Sequence, residues 1–181
     1  MTHPGPTGER PVSLGPLPSS SAMIIRDTGL ARVALAPLFA RVCDVEAWPA
    51  QLSHYRSVRM LNRDSAGGGV VEMAADRPFG DWRWPTSWTS LMAVDGERAT
   101  IRFRHIGGLT TGMEVEWSFV ARAPGPNGEA TTAITLLHLW DGWDVPLVGP
   151  AVAIAIIGPV FVHGIAERTF AGLVAAAERA A

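Results

Sequence analysis

Three polar residues lie in strand-like segments at positions where their side chains could meet a bound ligand. In the segment 70–77 a two-residue alternation places Arg77 on an otherwise apolar face, and the same alternation does so for His105 in 98–106 and His138 in 130–140. Because apolar faces turn inward, the sequence predicts that all three side chains point to the interior. A guanidinium can donate to a carbonyl, enolate or carboxylate, and a neutral imidazole can transfer a proton in an aldol or dehydration step.

Each of these residues also has a purely structural interpretation. Arg77 stands near a strand end, where it could extend to solvent or pair with Asp76 or Asp81. Either histidine could be a hydrogen-bonded residue of the core or the surface. The residues alone leave both interpretations open.

Aromatic residues supply a second candidate feature. Trp84 and Trp88 occupy even positions of one segment, so an unbroken strand would present both on one face as a rigid wall with N–H donors, suited to a planar ligand. Pro85 could introduce a bulge between them, and packing against a helix is the alternative use of the same rings. Tyr55 is the single tyrosine, and its hydroxyl could donate to a ligand carbonyl or help to protonate an enolate.

Several other chemistries are disfavoured by composition. The 15 basic residues are all Arg, so no lysine Schiff base can form. The single cysteine, Cys43, excludes a disulfide and a thiolate metal cluster, and no His-x-x-x-His spacing occurs, so we expect neither a metal nor a cofactor. A formal charge of −2 argues against a nucleic-acid partner that is bound through a basic surface.

The elements that must position these residues follow from periodicity and turn residues. We predict a strand over 23–35, short helices over 37–43 and 44–52, and a long helix within 159–180 that carries an apolar stripe. Between the helices, turns rich in Gly, Pro, Asp and Asn separate six further strands. Their predicted ranges are 54–62, 69–77, 82–93, 98–106, 112–122 and 130–140. Short turns between successive strands indicate an antiparallel sheet, hence an α+β domain with one long helix laid on the sheet.

Several local motifs carry a resemblance to a known family. They are Asp44-Val45-Glu46-Ala47-Trp48-Pro49, Arg77-Pro78 followed by Trp82-Arg83-Trp84, and Glu116-Trp117. With the element order, these motifs resemble the START-like, Bet v 1-like superfamily, and within it the polyketide cyclase/dehydrase group with its aromatase/cyclases. The resemblance implies a helix-grip fold, in which a seven-stranded curved antiparallel sheet wraps around the C-terminal helix and encloses a hydrophobic cavity, with two short helices after the first strand.

The resemblance also implies roles for individual residues. Arg77 matches an arginine that anchors or protonates polyketide carbonyls, and Tyr55 matches a tyrosine that lines the pocket. With His105 as a proton shuttle, these are the predicted catalytic residues. The predicted ligand-binding residues are Trp48, Trp84, Trp88, Trp117, His138, Val162 and Ile165.

The ends of the domain are also suggested by composition. Residues 1–22 are rich in Pro, Gly and Ser and are expected to form a disordered tail, so the folded domain spans 23–181. The uncharged run 145–162 is interrupted by Pro and Gly, which favours a lid over the cavity mouth rather than stable membrane insertion. Transient docking on a membrane to collect a lipid ligand is a second possibility.

Two functions fit these expectations. The first is an enzyme that folds a poly-β-ketone chain, delivered by an acyl carrier protein, and promotes aldol cyclisation with dehydration. The second is a non-catalytic carrier of a lipid, quinone or polyketide, with Arg77 anchoring a polar head. For both we expect a cytoplasmic protein that is a monomer or a weak homodimer.

Overall fold

The computed structural model describes residues 10–79, 82–142 and 163–180, and for residues 77–79, 82–84 and 163–165 it describes the backbone alone. The strands are β1 (Met23–Ala31), β2 (Tyr55–Met60), β3 (Gly69–Phe79), β4 (Trp82–Asp95), β5 (Thr100–Gly108), β6 (Glu114–Arg122) and β7 (Thr131–Trp140). The helices are α1 (Leu35–Cys43), a 3₁₀ turn (Val45–Ala47) that runs into α2 (Trp48–Gln51), and α3 (His163–Glu178). Every element predicted from periodicity is therefore present, with ends shifted by a few residues.

The seven strands form one antiparallel sheet in the order β1-β7-β6-β5-β4-β3-β2. Strands β2 to β7 pair with their chain neighbours, as expected for strands joined by short turns. Strand β1 pairs with β7, the last strand, so α1 and α2 span the whole width of the sheet before β2 begins at its other edge. The α+β helix-grip fold with a seven-stranded sheet is thus confirmed.

One face of the sheet carries the core. In β7 the buried residues Ile134, Leu136 and His138 alternate with partly exposed ones, and in β5 Ile101 and Phe103 do the same. Helix α3 covers this face, with Ala166, Thr169, Leu173 and Ala177 buried at helical spacing. This sheet face and the inner face of α3 are therefore the surfaces between which a cavity can form.

The approach of α3 to β1 is close enough to require a glycine. A Cβ on Gly29 would lie 2.7 Å from the ring of Phe170. That ring stacks on Trp117 of β6, with centroids 5.8 Å apart. Gly29 therefore lets a helix aromatic lie flat across the sheet and meet the core of β6.

Residues 10–22 contain no helix or strand, and part of this segment lies on the outer face of the sheet. Leu14 is buried, and its carbonyl oxygen accepts a hydrogen bond from Arg104 Nη2 at 2.7 Å. The backbone N–H of Val12 donates to Asp64 at 2.7 Å. The domain boundary near residue 22 remains a prediction.

The apolar run 145–162 lies wholly outside the described residues. In the described part of the chain, no helix is both long and apolar enough to cross a membrane.

Candidate functional site

A mostly apolar cavity lies between the concave face of the sheet and helices α2 and α3. Its volume is about 90 Å³, below the roughly 300–1,000 Å³ of pockets that hold drug-sized ligands. Side chains from α2, α3 and strands β2 to β7 line it. They are Trp48, Tyr55, Met73, Thr86, Trp88, Phe103, His105, Leu109, Thr110, Met113, Val115, Trp117, Leu136, His138, Ala166 and Thr169.

Trp48 of α2 is the centre of the aromatic wall. Its ring meets Tyr55 at 5.4 Å, Phe103 at 6.3 Å and Trp117 at 6.5 Å between centroids, all edge-on. Pro49 in the first turn fixes the start of this short helix and so the position of the indole. Trp48 is buried, and its Nε1 has no hydrogen-bond partner among the described residues.

Trp88 forms the wall on the β4 side. The pairing of β3 with β4 stays in register through Pro85, so the bulge that Pro85 could have introduced is absent from that pairing. A register shift occurs instead between Thr89 and Ser90, in the pairing with β5. Trp88 still faces the cavity, where its ring stacks on His105 at 6.0 Å and meets Tyr55 at 6.1 Å.

Tyr55 lies at the start of β2 with its ring buried against these aromatics. Burial raises the pKa of the phenol to about 12, partly offset by a hydrogen bond from Thr169. The hydroxyl of Tyr55 lies 3.5 Å from Thr169 Oγ1. At neutral pH Tyr55 is therefore protonated and can donate a hydrogen bond.

His105 is half-buried in β5 at the cavity wall. Its Nδ1 lies 2.6 Å from the hydroxyl of Thr110, in the turn that follows β5. Desolvation lowers the pKa of His105 to about 4, so its imidazole is neutral at physiological pH. His138 of β7 also lines the cavity and is buried.

The four other residues to which we assigned a role lie outside the described part of the structure, in whole or in their side chains. Val162 is not described. Arg77, Trp84 and Ile165 are described by their backbones, and Arg77 pairs with Trp84 across β3 and β4. Asp76, one partner considered for Arg77, forms an ion pair with Arg56 at 3.0 Å.

Two buried polar residues next to the cavity were not assigned a role from the sequence. His54 and Thr169 are both buried, and His54 Nε2 lies 3.0 Å from Thr169 Oγ1. Strand alternation would place His54 on the face opposite Tyr55, so the sequence pattern predicts that His54 points outward. Thr169 belongs to the predicted apolar stripe of the long helix. A hydroxyl among aliphatic residues of that stripe is the one feature of the sequence that could have indicated a role for it.

The described residues contain no cluster of three His, Cys, Asp or Glu side chains with metal-binding geometry. The polar groups of the cavity wall are instead a phenol, imidazoles and hydroxyls. Such a set can donate to and accept from an uncharged polar ligand.

Solved structures with the same fold come from several bacteria. The Zhui aromatase/cyclase from Streptomyces sp. R1128 superposes with a TM-score of 0.70 at 17% identity, covering 87% of this chain and 94% of that one. A START superfamily protein from Mycobacterium smegmatis gives a TM-score of 0.64 at 18% identity, covering 87% and 99%. These identities show a shared fold. A search of curated protein sequences found no match.

The family itself is shown by sequence. Residues 33–156 match the family described as polyketide cyclase / dehydrase and lipid transport. This range begins just after β1, passes through both short helices and six strands, and so includes most of the residues that line the cavity. The chain therefore belongs to the polyketide cyclase / dehydrase and lipid transport family.

Proposed function

We propose that this protein binds a poly-β-ketone intermediate in the cavity and promotes its aldol cyclisation and dehydration to an aromatic ring. The observation that carries the proposal is the arrangement of Tyr55 and His105 on one aromatic-walled cavity, each held by a threonine hydroxyl. A solved structure of similar fold is described as an aromatase/cyclase, which supports the same class of activity.

Cyclisation needs a carbonyl that is polarised and a chain that is held in a folded conformation. In this proposal the Tyr55 hydroxyl donates to the carbonyl oxygen that becomes an alkoxide as the new C–C bond forms. His105 accepts the first α-proton and returns it to the alkoxide, and in the dehydration it accepts the second α-proton and gives it to the departing hydroxide, so that water is the only product lost. Trp48, Trp88 and Trp117 hold the planar product, and Arg77 anchors a further carbonyl.

The second candidate function is non-catalytic carriage of a lipid, quinone or polyketide. A specific observation favours it: the pKa of His105 is lowered to about 4, which makes its imidazole a weak base at neutral pH. On this alternative the same groups only hold the polar end of the ligand, with Arg77 as its anchor.

A reconstituted assay separates the two functions. A ketosynthase and acyl carrier protein would generate the poly-β-ketone, and products would be identified by mass spectrometry. The enzyme hypothesis expects the aromatic product with the native protein, and shunt products with Arg77→Ala or Tyr55→Phe. Arg59→Ala is the matched control, because Arg59 is exposed on the outer surface and pairs only with Glu72 among the described residues.

If the product profile is the same with and without the protein, catalysis is refuted. Saturable quenching of Trp fluorescence by fatty acids, quinones or aromatic polyketides would then support carriage. If no such ligand quenches saturably, the carrier hypothesis is refuted as well.

A further inference from the structure

The structure buries two consecutive polar residues, His54 in the turn before β2 and Tyr55 at the start of that strand. His54 comes just before β2, and the pairing of β2 with β3 shifts in register between Tyr55 and Ser57. The extra residue, Arg56, points outward, where it binds Asp76 and the carbonyl oxygen of Thr86. The register shift keeps Tyr55 and Val58 on the inner face, and His54, in the turn before the strand, also turns inward, with its ring centroid 4.8 Å from that of Tyr55.

Both side chains meet the same hydroxyl on helix α3. Thr169 Oγ1 lies 3.0 Å from His54 Nε2 and 3.5 Å from the Tyr55 hydroxyl, so three polar groups form one buried chain. The exposed fractions are 9% for His54, 7% for Tyr55 and 3% for Thr169. Burying three polar groups costs free energy that apolar side chains of the same size would avoid, so packing alone does not account for them.

Of these three hydrogen-bonded residues, only two line the cavity. Tyr55 and Thr169 contribute to its wall, whereas His54 lies behind them. Rings on two sides, Trp48 and Trp88, restrict the phenol to one orientation, and Thr169 then decides how its hydroxyl is held. Burial, and to a smaller extent the charge of Arg168, lowers the pKa of His54, so its imidazole is neutral at neutral pH.

We propose that Thr169 and His54 are positioning residues for Tyr55, and that they hold its hydroxyl so that it binds a carbonyl oxygen of the ligand. The inference rests on the proposed function in one respect, since it takes a hydrophobic ligand in the cavity as given. It adds the group that recognises the ligand and the two residues that orient that group. It holds for an enzyme and for a carrier alike.

The test uses two ligands of the same size that differ in one carbonyl, α-tetralone and tetralin, titrated against the full chain by Trp fluorescence. The native protein should bind the ketone more tightly, by about two- to tenfold, the usual net value of one hydrogen bond. Tyr55→Phe should abolish this preference. Thr169→Val should remove most of it, Thr169→Ser should restore it, and His54→Phe should weaken it while retaining a ring at that position.

Thr132→Val is the matched control for Thr169→Val. Thr132 is fully buried, and its hydroxyl donates to the carbonyl oxygen of Val33 at 2.8 Å, away from the cavity. It should lose comparable stability while keeping the preference for the ketone. A second readout needs no ligand: Tyr55 is the single tyrosine, so ¹³Cζ labelling gives one signal, which should shift in Thr169→Val and stay in place in Thr132→Val.

The outcomes separate this inference from the proposed function. If Tyr55→Phe abolishes the preference for the ketone but Thr169→Val retains it with an unshifted ¹³Cζ signal, the positioning role is overturned and ligand binding stands. If the native protein binds neither compound, recognition of an aromatic ketone by Tyr55 is refuted, whereas ligand binding in the cavity is refuted only if fatty acids, quinones and aromatic polyketides also fail to bind. If it binds both equally, recognition of a carbonyl by Tyr55 is refuted.

Discussion

Acidification should destabilise this protein through His105. The pKa of His105 is lowered from 6.5 to about 4 by burial, because the folded protein gives the imidazolium too little solvation. Between these two pKa values the unfolded chain binds more protons than the folded one. The stability is therefore complete above pH 6.5 and is lost as the pH falls towards 4.

The magnitude follows from linkage. Each pH unit of difference between the folded and unfolded pKa is worth about 1.4 kcal/mol, so the full loss attributable to His105 is at most about 3.5 kcal/mol. At pH 5 about 2 kcal/mol of it is already lost. Since domains of this size are stable by only about 5–15 kcal/mol, such a loss is readily measured.

The assay is urea unfolding followed by Trp fluorescence from pH 7.5 to pH 4.5. His105→Asn removes the titrating group and keeps a polar side chain next to Thr110, so its free energy of unfolding should fall less steeply with decreasing pH than that of the native protein. Leu109→Ala, an apolar change in the same cavity wall, should lower stability at every pH and keep the native slope. Equal slopes for His105→Asn and the native protein would refute the reasoning.

Three further predictions concern other parts of the fold. Glu114 is buried between Arg102 and Arg104, so Glu114→Gln should lower the free energy of unfolding by about 3 kcal/mol. Glu72 is half-exposed in its ion pair, so Glu72→Gln should lower it by less than about 1 kcal/mol, and urea unfolding compares the two variants. Gly68→Ala should destabilise, because its Cβ would lie 2.4 Å from a backbone carbonyl oxygen of β4, whereas Gly96→Ala, with open space around its Cβ, should leave the Tm nearly unchanged. Burial raises the pKa of Cys43 to about 12, so an alkylating reagent at pH 8 should label the unfolded chain far faster than the folded one, and equal rates would contradict this.

The sequence predicts the strands well because turn residues separate them and because apolar and polar residues alternate along each strand. Gly107 and Gly108 end β5, and Pro124 to Gly128 occupy the turn before β7. The position of β1 in the sheet could not be predicted in this way, because no local sequence pattern shows whether β1 pairs with β7 or with β2. That choice depends on α1 and α2 crossing the sheet, which is a property of the whole chain.

The candidate site was predictable where its residues obey alternation. His105 and His138 continue the alternation of the buried apolar residues before them in their strands, and both reach the cavity that those residues indicate. His54 does not obey it, because it lies in the turn before β2 and not in the strand. Thr169 was visible as part of a helical stripe, but its partners come from a segment more than 100 residues earlier, and spacing carries no information about that contact.

The polar groups of the described cavity wall point to recognition by hydrogen bonds rather than by charge. Tyr55 and His105 are both neutral at physiological pH, and each is held from the protein side by a threonine hydroxyl. The indole N–H of Trp48, in contrast, has no partner among the described residues, so it is a donor that this arrangement leaves unsatisfied. A ligand that carries carbonyl oxygens on a flat apolar skeleton can satisfy such donors, whereas a fatty-acid chain offers its acceptors only at one end. On the proposed function we therefore expect tighter binding of a ligand with several ketones than of a simple lipid, and a preference of the native protein for fatty acids over aromatic ketones would contradict this expectation.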